Sequence, residues 1–330
     1  MLSAITPADW LRRRYSYAAV LALTGVAVAF PAAAGMLLGL PLAVGMVVLG
    51  VAHGACDQWV VPARRPGAAD ASGWGYWLRF LAAYLGLAAL VGGLWWQWPA
   101  ATVAVFFLLT VWHWGSADAP AVSQVPRAWW LAHSLLRGLL QFAVPAWRWP
   151  TETVAVVNGL LTFAGAPAVA PAAFASGMAS VGLLVAGGHL ALWAFYARQR
   201  RWELLAAELV ELSVLLTLFL TVPPRLAVSV YFIFWHSLQH VLRMNRWLGY
   251  PVPGLRLALL PQLTFFLRRA APLLLLSCTA LLGLGYALAG RLPNPGAWFS
   301  LALVVASVVT LPHALLVTLV MDAPRPQKTS

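Results

Sequence analysis

Charge is scarce in this chain. Only 9% of its 330 residues are Asp, Glu, Lys or Arg, against roughly 25% in an ordinary soluble domain. Acid is scarcer still: nine carboxylates stand against 21 Lys and Arg residues. A water-soluble domain with so thin a charged coat is excluded as the leading reading. Cysteine is almost absent. Cys56 and Cys278 both fall in apolar runs, so neither a disulfide framework nor a thiolate metal site is expected. No Ser-His-Asp or Cys-His arrangement points to a nucleophilic enzyme. What the chain has instead is apolar residues, at 62%, with a mean hydropathy of +0.81.

An apolar run crosses a bilayer with about 20 residues. Ten such runs are expected, near 16–34, 37–62, 77–96, 99–118, 128–147, 174–197, 204–222, 226–244, 271–290 and 298–320. The fifth and seventh carry Arg137, Glu208 and Glu211 and are the least span-like. The fold class is therefore all-α: a polytopic transmembrane helix bundle of eight to ten spans. Residues 1–330 form a single membrane-embedded domain, with short cytoplasmic tails at 1–15 and 322–330. A cleavable signal peptide is not expected, because Arg12, Arg13 and Arg14 directly precede a span-length segment.

The formal net charge of +12 invites a nucleic-acid reading, but its distribution argues against that. With a cytoplasmic amino terminus, ten spans put seventeen of the 21 basic residues inside, among them Arg64, Arg65, Arg198, Arg243, Arg268, Arg325 and Lys328. Only Arg148, Arg225 and Arg291 fall outside, and Arg137 lies within a span. This is the asymmetry of the positive-inside rule. It predicts both termini in the cytoplasm, a multi-pass protein of the inner membrane, and contact with anionic lipid headgroups.

Seven histidines lie in or beside these apolar runs: His53, His113, His133, His189, His236, His240 and His313. Titratable rings within a bilayer are expensive and mark ion paths, proton relays or cofactors. The topology above places all seven in the inner half, as one layer. His236 and His240 are spaced four apart, which puts them on one helix face about 6 Å apart. Two carboxylates accompany the layer: Asp57 follows His53 by four residues, and Asp118 follows His113 by five. A ligating imidazole often donates its second N–H to a carboxylate, and Asp57 and Asp118 are candidates for that role. Pairing with Arg64, Arg65 or Arg127 is the plainer alternative. Gly54 and Gly115 remove a side chain beside a histidine and let another helix or a substrate approach.

Imidazole suits Zn, Cu, Fe or Ni alike, so the residues do not choose the metal. A proton- or metal-ion transporter built on the same His and Asp groups, and a haem-carrying electron-transfer subunit, both stay open. A dinuclear iron site asks for more clustered histidine boxes than this chain has; one non-haem iron on four histidines matches the count better.

Four motifs follow one another on successive helices. They are His53-Gly54-Ala55-Cys56-Asp57, His113-Trp114-Gly115-Ser116-Ala117-Asp118, Phe234-Trp235-His236-Ser237-Leu238-Gln239-His240, and Pro312-His313 followed by Asp322. Together with Arg137-Gly138 and Pro145, they resemble the Brp/Blh family of integral-membrane beta-carotene 15,15'-dioxygenases. The resemblance runs from the second span to the last. It implies an iron(II) enzyme that cleaves the central double bond of beta-carotene with O2 into two molecules of retinal. It further implies a link to a microbial rhodopsin that takes up retinal. The family's iron ligands fall on His53, His113, His236 and His240. Asp57, Asp118, His189, His313, Trp114 and Trp235 are left to support the ligands or line the substrate site. Cys56 and Trp114 depart from the residues usual in the family, and neither position is a ligand.

Overall fold

Backbone N–H and C=O groups in hydrocarbon find no water, so a chain this apolar satisfies them within helices or closed barrels. A computed structural model describes residues 7–60, 73–120, 125–250, 258–292 and 294–321, and among these there are helices and no strand. The expected tail at 322–330, with Asp322, Arg325 and Lys328, lies outside the described residues, as do Arg64 and Arg65.

The order is α1 (Pro7–Ala29), α2 (Ala34–Gly45), α3 (Trp74–Gln97), α4 (Pro99–Asp118), α5 (Arg127–Arg148), α6 (Pro150–Phe163), α7 (Pro171–Arg198), α8 (Trp202–Thr221), α9 (Pro224–Val230), α10 (Leu238–Trp247), α11 (Leu259–Leu288) and α12 (Pro295–Leu316). Seven helical stretches are long and apolar enough to cross a membrane: Ala34–Trp59, Trp74–Gln97, Pro99–Asp118, Pro171–Arg198, Trp202–Thr221, Leu259–Leu288 and Pro295–Met321. The other three expected spans are present as helices but carry more polar residues. These are α1 with Arg12–Arg14, α5 with His133, Arg137 and Gln141, and the 224–247 run with His236, Gln239, His240 and Arg243. The protein is a multi-pass membrane protein. The 14-residue α6 has no counterpart among the expected spans; it is too short to cross and turns the chain between α5 and α7.

Three π-helical segments interrupt the α-helices, at Met46–Val51, Tyr231–Ser237 and Val317–Met321. Such wide turns are rare and concentrate at functional sites. Here each sits beside a histidine: the first ends two residues before His53, the second contains His236, and the third begins four residues after His313. Each inserts extra rotation into its helix, so the side chains on either side take a facing that regular α-helix would not give them.

Helices α4 and α5 cross with their backbones in contact. A Cβ on Gly115 would sit 1.8 Å from the Ser134 carbonyl oxygen, and one on Gly138 would sit 1.9 Å from that of Val111. Small residues permit such close crossings within membranes, and this one seats His113 deep in the bundle. Packing closes around the Tyr231–Ser237 segment from two sides. Leu215, Leu218, Phe219, Tyr231 and Trp235 fill one core, while Leu49, Ala52, Cys56, Ile233, Val241 and Phe266 fill the other. Outward side chains such as Leu275, Leu276 and Leu282 of α11 are exposed, a surface that lipid rather than water would cover.

Candidate metal centre

Five of the seven histidines converge. His53 follows the first π segment, on a short 3-10 turn (Ala52–Gly54). His113 comes from α4, His236 and His240 from the segment running into α10, and His313 from α12. Ring centroids stand 4.7 Å apart for His53 and His313, 4.9 Å for His113 and His236, 5.0 Å for His113 and His313, 5.2 Å for His240 and His313, and 5.5 Å for His53 and His240. Donor atoms of His53, His113 and His313 can lie within 4.8 Å of one another. His113, His236, His240 and His313 are buried and His53 is partly exposed.

The hydrogen bonds of these rings decide what the cluster can do. His53 Nδ1–H donates to the Gly50 carbonyl at 2.5 Å. His313 Nδ1–H donates to the Asp57 carboxylate at 2.8 and 3.0 Å. Arg243 Nη2 approaches His240 Nδ1 at 3.4 Å, the long limit of a hydrogen bond. Both nitrogens of His113, both of His236, and Nε2 of His240 and of His313 are buried with no hydrogen-bond partner. Buried polar groups are nearly always paired. These six nitrogens belong to four rings, each of which offers one lone pair when neutral. Four such buried rings around one centre are a donor set without its acceptor, and a transition-metal ion is an acceptor that this set fits. No thiolate takes part: Cys56 is buried in the neighbouring core.

The two carboxylates hold different partners. Asp57, on a second short turn (Asp57–Trp59), meets His313 rather than the His53 four residues before it, and also accepts the Tyr84 hydroxyl at 3.3 Å. Asp118 meets no imidazole. Helix α4 continues regularly to Asp118, so five residues of rotation turn it away from His113's face. It accepts instead from Trp235 Nε1 at 3.0 Å and from the Tyr231 hydroxyl at 3.1 Å. Trp235 and Tyr231 are fully buried; Asp118 thereby ties α4 to the π segment that carries His236. Of the arginine pairs considered from the sequence, those with Arg64 and Arg65 lie outside the described residues, and neither carboxylate pairs with Arg127; Arg137 Nη2 approaches Asp118 at 3.8 Å. Trp114 does flank the cluster, 5.8 Å from His236 and 5.1 Å from Tyr231.

His133 and His189 stand apart from the five. His133 Nε2 lies 3.0 Å from Glu208 and its Nδ1 lies 2.8 Å from the Tyr196 hydroxyl. His189 Nδ1–H donates to the Val185 carbonyl, and its Nε2 lies 3.7 Å from Glu208. Glu208 and Glu211, one turn apart on α8, hold the fully buried Arg137, whose Nη2 donates to Glu211 at 2.7 Å. Arg13 of α1 pairs with the same Glu211. The single layer expected from the sequence is thus two groups: a cluster of five imidazoles, and an ionic network joining α1, α5, α7 and α8. The charged residues that make the fifth and seventh spans look unlike spans satisfy one another here.

The family model of the beta-carotene 15,15'-dioxygenases matches residues 44–321. The chain belongs to that family. This makes it a member of a family of carotenoid-cleaving dioxygenases, and the matched range contains all seven histidines and the whole ionic network except Arg13. A curated relative from Halobacterium salinarum, described as a probable beta-carotene 15,15'-dioxygenase Blh, is 32% identical over 343 aligned residues, covering 96% of each chain. No solved structure matches the chain.

Proposed function

We propose that this dioxygenase cleaves the central 15,15' double bond of beta-carotene, each of the two alkene carbons taking one atom of O2, to give two molecules of retinal. In this reading Fe(II) is held by His53, His113, His236 and His240. When bound, the iron supplies the one-electron chemistry and the open coordination positions that O2 needs to react with a closed-shell alkene. The residues do the rest. Neutral imidazoles bind the ion, and the Gly50 carbonyl holds the His53 ring in one tautomer. Phe232 stacks on His236 at a 6.1 Å ring separation and meets His53 edge-on at 5.6 Å. With Trp114, whose ring lies 5.9 Å from its own, it makes an aromatic wall suited to a polyene. Beta-carotene dissolves in the bilayer, so entry from lipid spares it any passage through water. Retinal leaves by the same medium, where a retinal-binding microbial rhodopsin would take it up.

The observation that carries this reading is the set of orphaned imidazole nitrogens in an apolar, thiolate-free interior. Expression in a beta-carotene-producing bacterium tests it: the cells should pale from orange while retinal accumulates. Carotene that persists undiminished beside abundant membrane-inserted protein would sink it.

We also place both termini on the cytoplasmic side of the inner membrane. The support is the charge asymmetry, seventeen of 21 basic residues falling on one side. Reporters fused at Met1 and at Ser330, active only in the cytoplasm, should both be active. A silent reporter at Ser330 would require an odd number of spans.

A further inference from the structure

Four imidazoles leave one unexplained. His313 is 4% exposed, and its partner Asp57 is 1% exposed. The Asp57 carboxylate takes the proton of His313 Nδ1 at 2.8 Å, which leaves Nε2 as the nitrogen with a free lone pair. That Nε2 is buried and has no hydrogen-bond partner. The His313 ring lies nearest to those of His53, His113 and His240, and its donor atom belongs to the tightest group of three, with His53 and His113. A histidine that served only to fill the core would have its second nitrogen paired or turned to solvent; His313 has neither. The position is also built. Gly54 packs against both partners, its absent Cβ 3.7 Å from His313 Nδ1 and 3.8 Å from Asp57 Oδ2. The Tyr84 hydroxyl braces the carboxylate from α3 at 3.3 Å.

We propose that His313 is a fifth imidazole ligand of the metal, with Asp57 as the carboxylate that sets its tautomer and orientation. This rests on the metal-centre reading above and deepens it. Asp57 then acts on the metal through His313, from the far end of the chain, and not through the neighbouring His53. A ligating imidazole that hands its other N–H to a carboxylate gains basicity and a fixed plane, and loss of that carboxylate lowers metal affinity by about 10- to 100-fold.

The test compares purified wild-type protein with His313→Gly and Asp57→Asn, using elemental analysis for total bound transition metal and the visible spectrum after loading with Co2+. His313→Gly should lose at least tenfold in Co2+ affinity, change its ligand-field bands, and recover both when free imidazole is added to fill the vacated space. Asp57→Asn is nearly isosteric and keeps an acceptor; it should weaken Co2+ binding by a smaller factor, and it carries the test if His313→Gly does not fold. A folded His313→Gly that binds Co2+ as tightly as wild type, with an unchanged spectrum, would overturn the fifth ligand and leave the metal centre standing. Wild-type protein that carries a metal other than iron would overturn the iron and leave His313 to be judged by the same comparison. Wild-type protein that binds no transition metal would overturn both.

Discussion

With the metal centre proposed above, replacing His236 by alanine should strip the proposed iron from the protein and lower carotene cleavage by about 100-fold or more, beyond the 10- to 100-fold typical of supporting residues. The effect should be large because, among the described residues, neither nitrogen of His236 makes a hydrogen bond, so binding a metal is the task left to the ring. Its neighbours would not close the gap, since the π segment that carries it is held by Trp235 and Tyr231 on Asp118. His53, His113 and His240 should behave alike. His133→Ala is the contrasting case, with iron retained, because His133 faces Glu208 and Tyr196 rather than the five-histidine centre. Iron per protein, measured by elemental analysis across the variants, decides the matter. Full occupancy in His236→Ala would remove it from the site.

The second large effect concerns folding. Arg137→Leu should destabilise the protein by about 3–5 kcal/mol, the range for removing one partner of a buried ion pair. Arg137 is fully buried, pairs with Glu211 at 2.7 Å, and lies 3.8 Å from both Glu208 and Asp118. Without it, three buried carboxylates share the remaining partners, and one of them is the anchor of the π segment. Iron binding should weaken only as the folded fraction falls. Thermal unfolding in detergent is the measurement. Adding Glu211→Leu to Arg137→Leu should recover part of the loss, because replacing both partners of a buried pair by apolar residues costs less than orphaning one. Unchanged melting in the single variant would mean that the network contributes nothing to stability.

Much of this is legible in the sequence for local reasons. Hydropathy over about 20 residues is a property of consecutive residues, and helix is what hydrocarbon requires of a spanning backbone that closes no barrel. The ten expected segments therefore reappear as helices. Spacing within one helix is also readable, as with His236 and His240. Gly115 signals a place of close approach, and the neighbour proves to be the backbone of α5. The short α6 escapes such a reading, because a 14-residue apolar helix that turns rather than spans carries no hydropathy signal of its own.

By itself, then, the sequence determined the class of the protein, its helical segments, and a supply of imidazole without thiolate. Only the tertiary structure decided which residues meet. Asp57 reaches His313 across 256 positions of sequence, and Asp118 reaches Trp235 across 117. His133 and His189 go to Glu208 while the other five histidines converge. Pairings of that kind depend on how far each helix is rotated about its own axis, and the three π segments shift that rotation where the histidines stand. Local propensity carries little of that information, whereas packing, the glycine crossing of α4 and α5, and the need to pair every buried charge determine it together.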